Sequence, residues 1–245
     1  MEDIDAIAVL QEPVRRRLYE YVAAQGREVS RNEAAEAAGV ARTLAAHHLD
    51  RLTEAGLLEC ASRRLTGRTG PGAGRPAKVY TRARAERSVS LPARDYRTAA
   101  ELLAEAAEQV GLDPELCAAA RRRGEALRGS AAPCGSLEEA AAVLAARGYE
   151  PRLEGVEGIE GIEGVEGGEG ASGRGGEAAE QPAPVVRMRN CPFHAVAERF
   201  PPLVCGMNLA LLEGLLGADG PVRARMDPRP GECCVVVEPS KNNDD

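Results

Sequence analysis

The chain has no tryptophan, two phenylalanines and three histidines, and only two of its 31 basic residues are lysine. Few large rings and much alanine and leucine favour helices over a sheet-dominated fold. The preference for arginine reflects a GC-rich coding bias as much as chemistry. Three histidines leave few general bases. Also missing are a G-x-S-x-G elbow, a nucleotide-binding glycine fingerprint, a G-K-[ST] phosphate loop and a C-x-x-C redox pair. These absences point away from an enzyme; an iron–sulfur or thiol enzyme with an accessory helical domain is the alternative from another class. No apolar run reaches membrane-spanning length, and the start carries no charged region followed by an apolar one. The expectation is a soluble cytoplasmic protein with no membrane partner.

What is present is unevenly spread. The 245 residues suffice for one large domain or two small ones. The formal net charge is −7, yet residues 1–87 carry fifteen Lys/Arg against twelve Asp/Glu. Residues 60–87 alone hold eight basic residues against one acid, Glu86. A basic patch, the feature that matters for phosphate contacts, is therefore hidden in an acidic chain. Seven cysteines, an odd number, argue for free thiols or for metal or cluster ligation rather than a disulfide scaffold.

Along the chain, a first helix is interrupted near Pro13 and stops at Gly26. A second opens with Ser30 and Glu33 as a capping box and ends at Gly39, and a third ends at Gly56. "LLECASRR" and "PAKVYTRA" flank the Gly/Pro-rich "LTGRTGPGAGR", which reads as a hairpin with a long basic tip. Two short helices joined by a glycine turn and followed by a hairpin give the order of a winged helix-turn-helix. Residues 92–128 read as amphipathic helix, and Ser136 with Glu139 caps another helix leading into a strand. The E-G-x tandem repeat within 154–184 cannot support a packed core and reads as a disordered acidic insertion. A strand, a helix and a closing hairpin follow. The expected architecture is mainly α: a winged helix-turn-helix domain at 1–87, a helical, dimerising linker at 88–130, and a small α+β sensor domain at 131–240.

On a helical wheel of the third helix, Ala41, Leu44, Ala45, His48, Leu49 and Leu52 share one face. Arg42, Thr43, Ala46, His47 and Asp50 lie opposite, with Arg51 at the edge. An Arg/Thr/His outer face suits a major-groove recognition helix, since arginine forks onto guanine and Thr or His reaches base edges or phosphate. That makes Arg42, Thr43, Ala46, His47 and Arg51 candidate DNA-binding residues, with His48 a packed core histidine. Arg68, Arg75 and Lys78 are candidate wing contacts to phosphate or the minor groove. "VARTLAAHHLDRLTEAGLLE" followed by "GRPAKVY" resembles the ArsR-like winged-helix bacterial transcriptional regulators over residues 8 to 87. The resemblance implies a homodimeric repressor on a double-stranded DNA operator. The C-x-C metal pair common near the recognition helix of that family is missing, and Cys60 stands alone.

The second half resembles the branch of that family that represses the SUF operon, through "CPFHAVAERFPPLVC" and the "PGECC" ending. The resemblance implies Cys191, Cys205 and Cys233 as ligands of an iron–sulfur cluster coupled to operator binding. Some family members have a further cysteine midway between the second and last; here none lies in 206–232, leaving His194, Asp219, Cys234 or an exogenous group as fourth ligand. On the residues alone, three thiolates from separate elements can hold a cluster, and the same three with His194 can hold zinc. They can also be plain core thiols, leaving a domain that binds no cofactor, takes a small molecule or only dimerises. Adjacent Cys233 and Cys234 point to opposite faces of a strand, so only one is expected to face a common site, and the resemblance favours Cys233.

Overall fold

The computed structural model describes residues 2–63, 76–155 and 183–240. Among these the chain is mostly helical and divides into two compact units, Met1–Arg94 and Asp95–Asp245.

The first unit opens with α1 (Glu2–Ala8), a 3-10 turn (Val9–Gln11) and α2 (Pro13–Gln25). Pro13 sits where a helix can spare an N–H, and the Glu12 carboxylate caps α2 by accepting from the Val14 and Arg15 amides. Gly26, at φ 58°, ends the helix in the left-handed region. Next come β1 (Val29–Ser30), α3 (Arg31–Ala37) and α4 (Arg42–Glu54). The Ser30/Glu33 capping box forms as expected: Ser30 Oγ accepts from the Glu33 amide at 3.2 Å and Glu33 accepts from the Ser30 amide at 3.4 Å. Gly39, at φ 65°, makes the turn between α3 and α4.

β2 (Leu58–Arg63) and β3 (Ala77–Arg82) then form the expected antiparallel hairpin, with Leu58 opposite Arg82 and Arg63 opposite Ala77. The expected basic tip, including Arg68 and Arg75, lies outside the described residues. β1 adds to the other side of β3, giving a three-stranded sheet of order β1-β3-β2. Leu18, Val22, Val29, Ala34, Leu49, Leu52, Leu58 and Tyr80 close the core of this unit.

The second unit contains α5 (Tyr96–Val110), α6 (Asp113–Arg128) and α7 (Leu137–Ala145). The expected linker, 88–130, is therefore not a separate piece. Residues 88–94 belong to the first unit, and α6 is core scaffold of the second, packed along α9 (Pro201–Leu216). The reason is a pair of glycines. A Cβ on Gly124 would lie 2.1 Å from the Leu211 carbonyl oxygen, and one on Gly214 would lie 2.2 Å from that of Arg121, so the two backbones touch.

Strands β4 (Pro151–Glu154), β5 (Val185–Met188), β6 (Val222–Met226) and β7 (Val235–Pro239) make an antiparallel sheet of order β4-β5-β7-β6. Val186, Met188, Val235, Val237, Val222 and Ala224 join α7 and α9 residues in one core. The acidic insertion expected at 154–184 starts later than that, because Glu154 ends β4 opposite Val185. Its interior, 156–182, lies outside the described residues. The short helix α8 (His194–Ala197) precedes α9, and Phe200, Leu203 and Val204 form a smaller cluster with Ala104 of α5.

Candidate functional site

On α4 the side chains Ala45, His48, Leu49 and Leu52 are buried, while Arg42, Thr43, His47 and Arg51 are exposed and Ala46 lies half-buried between the faces. Leu44 and Ala41 depart from the wheel. Both sit at the start of α4 and are exposed, Leu44 by 41%, so the inward stripe begins at Ala45 and Leu44 adds an apolar group to the outer surface. Arg51 pairs with Glu54 at 2.8 Å in an exposed contact that contributes little and leaves its guanidinium releasable. His48, 6% exposed, is a core residue as expected: its Nδ1 accepts from Arg15 Nε at 3.3 Å, and its Nε2 lies 3.5 Å from Glu12. Burial pushes its pKa down, against the charged form of the ring.

A cleft of about 580 Å³ opens between the starts of α3 and α4 and the edge of β3, lined by Arg31, Arg42 and Lys78 around Asp50. The Asp50 carboxylate accepts from Lys78 Nζ at 2.9 Å and from the Tyr80 hydroxyl at 3.1 Å, and Tyr80 in turn accepts from Arg31 at 3.0 Å. Burial works against the charged form of Asp50, but the hydrogen bonds from Lys78 and Tyr80 outweigh it and hold the carboxyl below its usual range. Lys78, expected as a wing contact, thus lies on β3 with its charge committed to Asp50, and a phosphate would compete with that carboxylate. Arg42 keeps an exposed guanidinium at the mouth of the same cleft.

In the second unit, Cys191, Cys205, Cys233 and Cys234 all line one open cleft of about 360 Å³. Cys191 ends the segment after β5, Cys205 sits in the second turn of α9, and Cys233 and Cys234 immediately precede β7. Because the pair lies before the strand, the alternation expected for it does not apply, and both residues face the cleft. Backbone bonds pin them: Cys233 N–H donates to Met188 at 2.9 Å, and the Cys234 carbonyl accepts from Asp227 at 2.8 Å. Cys205 and Cys234 form a disulfide with Cα atoms 6.4 Å apart, while Cys191 and Cys233 remain free thiols.

The Cys191 contact, with help from the Val235 amide and Asn208, pulls the Cys233 thiol down to about 7 against the effect of burial. The same contact and burial push Cys191 up. Asn208 Nδ2 donates to Cys233 Sγ at 3.4 Å, and Asn208 Oδ1 accepts from the buried Tyr149 hydroxyl at 2.5 Å. Beneath the loop, Arg187 is 1% exposed, donates to the Asp227 carbonyl and carboxylate, and lies 3.5 Å from both Glu154 and Glu232. His194 lines the rim, its Nε2 3.1 Å from Glu198. Asp219 is exposed in the turn after α9 and is not part of this cleft, which removes it as a partner of the cysteines. No group of three His, Cys, Asp or Glu among the described residues is placed to hold a metal ion in this structure, where Cys205 and Cys234 are joined to each other.

Residues 10–61 match the family model of a helix-turn-helix domain. The match is to a DNA-binding fold. It runs from the end of the 3-10 turn through α2, β1, α3 and α4 into β2, and so contains the outer face of α4. No curated protein and no solved structure matches the chain. The helix-turn-helix supports a DNA-binding regulator rather than an enzyme. No helix among the described residues is long and apolar enough to cross a membrane.

Around the helix-turn-helix, sequence reasoning missed the Arg31–Tyr80–Asp50–Lys78 network, which joins residues up to 49 positions apart and has no local signature. In the second unit it missed Asn208 and Arg187. Each had a signal: Asn208 is the polar residue in the apolar "LVCGMNLALL", and Arg187 interrupts "VVRM" in a buried strand.

Proposed function

We propose that the chain is a sequence-specific DNA-binding transcription regulator, a repressor acting as a homodimer, whose second unit senses an iron–sulfur cluster or redox state. The DNA-binding part rests on the helix-turn-helix match together with the exposed Arg42, Thr43, His47 and Arg51 of α4. With the β2–β3 hairpin as a wing, α4 would enter the major groove and a two-fold dimer would read a palindromic operator. The sensing part is carried by one observation: cysteines separated by as many as 43 positions line a single cleft. A soft, all-thiol donor set suits an iron–sulfur cluster, and Cys191, Cys205 and Cys233 would hold it. The cluster would supply one-electron redox chemistry. The chain's own residues orient the donors: Asn208 donates to Cys233, and Arg187 fixes the loop that carries it. Zinc is the second reading, favoured by the same donors.

The first test selects a DNA target from a random-sequence pool and compares the chain with its Arg42→Ala variant. Loss of a bidentate base contact should weaken the selected site by about 10- to 100-fold and leave non-specific DNA nearly unchanged. Equal affinity of the variant for the selected site would overturn the assignment of α4. Iron, sulfide and zinc analysis of anaerobically purified protein tests the sensing part: matched iron and sulfide support the cluster, and protein with neither iron nor zinc refutes both metal readings.

A further inference from the structure

We infer that Cys234 is the fourth sulfur of the Cys191, Cys205 and Cys233 site, and that its bond to Cys205 is the oxidised form of that site, which excludes a metal. The inference rests on the reading of the other three cysteines as ligands. Three candidates for the fourth position can be compared on the structure. Asp219 lies past the end of α9, whereas Cys205 is in its second turn; the eleven residues from Cys205 to Leu216 alone span about 16 Å. His194 is at the rim, but its side chain is 64% exposed and its Nε2 faces Glu198. The Cys234 sulfur is already bonded to Cys205.

The geometry of a four-sulfur site follows from this connectivity. Ligands about 2.3 Å from a tetrahedral cation stand about 3.8 Å from one another. The Cys191 and Cys233 thiols open on the same cleft as that disulfide. Once reduced, Cys205 and Cys234 need only side-chain rotation to form one such edge, because their backbones face each other with Cα atoms 6.4 Å apart. In the oxidised form those two sulfurs have no thiolate to offer. A two-electron oxidant such as a peroxide or a diazene takes two electrons and two protons from the Cys205 and Cys234 thiols as the S–S bond forms. A dithiol returns both and is itself oxidised to a disulfide. Metal and disulfide therefore compete for the same pair of sulfurs.

The experiment uses the full chain, reduced with a dithiol and freed of reagent without air, then titrated with Cd²⁺ while thiolate-to-metal absorbance is read. One equivalent should bind. Diamide treatment should remove Cys205 and Cys234, by peptide mapping, from the free thiols and weaken Cd²⁺ binding by about 100-fold or more. Cd²⁺ bound first should slow that oxidation by about tenfold or more. Cys234→Ser should lower the absorbance by about a quarter, whereas His194→Ala should leave it unchanged.

Mapping of the wild-type protein needs no variant: a diamide product linking Cys191 to Cys233 instead would overturn the inference. So would a Cys234→Ser chain with the full band, or a loss on His194→Ala. Cys191→Ser separates the two levels. If it also leaves the band intact, the three-cysteine reading itself fails; if it weakens the band while Cys234→Ser does not, only the role of Cys234 falls.

Discussion

The backbone contact between α6 and α9 makes a quantitative demand that alanine substitution can test. A methyl group on Gly124 would meet the Leu211 carbonyl oxygen at 2.1 Å and the Leu215 nitrogen at 2.7 Å, and neither is a side chain that can rotate away. Normal contact is near 3.5 Å, so the helices must part by roughly 1.5 Å, enough to forfeit half or more of the dispersion energy along the seam. Overpacking of this kind costs about 1–3 kcal/mol or more, offset by about 1 kcal/mol because alanine suits a helix interior better than glycine. Backbone on both sides of the clash places Gly124→Ala and Gly214→Ala at the upper end, a net loss of about 2 kcal/mol or more.

Gly206 supplies the control in the same helix. A Cβ there meets Cys117 Sγ at an ordinary 3.7 Å, so Gly206→Ala should be neutral or stabilising by up to about 1 kcal/mol. Differential scanning calorimetry of the full chain would read both. The transition of the second unit should drop by about 5–15 °C for Gly124→Ala or Gly214→Ala and hold or rise for Gly206→Ala. If all three variants melt together with the wild type, the helices do not touch and the packing argument fails.

Two further outcomes follow from buried polar groups. Burial lowers the pKa of His48 in the folded chain, so below about pH 6.5 the unfolded state binds a proton that the native state refuses. Stability of the first unit should fall as pH drops through that range, and His48→Gln should flatten the slope in urea titrations; an unchanged slope would show that another group is responsible. Asn208→Ala strands the Tyr149 hydroxyl, whose Asn208 partner is buried with it, and should cost about 1–3 kcal/mol in denaturant unfolding. A cost near zero would mean that the Tyr149–Asn208 bond contributes nothing.

Much of the fold was legible where the signal is local. Ser30 with Glu33, Pro13, Gly26 and Gly39 act through neighbours a few residues away, and each marks the boundary it was read to mark. The outer face of α4 was legible from helical period alone, except in its first turn, where Leu44 turns outward. Non-local features were not legible. β1 has only two residues and earns its strand by pairing with Tyr80 and Val79 across the unit. Gly124 and Gly214 read as ordinary helix glycines until each is seen to face the other helix. The cysteines named from the sequence line one cleft, but the orientation of Cys234 depended on where β7 begins. A one-residue uncertainty in that boundary reverses the answer.

The pairing of β4 with β5 has a consequence for how this chain can change. Glu154 stands opposite Val185, so the stretch between them leaves and re-enters the sheet about 5 Å apart, one strand spacing. Doubling the number of residues between two such points costs only about 0.6 kcal/mol. The register of β4 on β5 is set by this pairing of the two ends. In sequence that stretch holds the tandem E-G-x units, so the register of the sheet and the number of those units belong to separate parts of the chain.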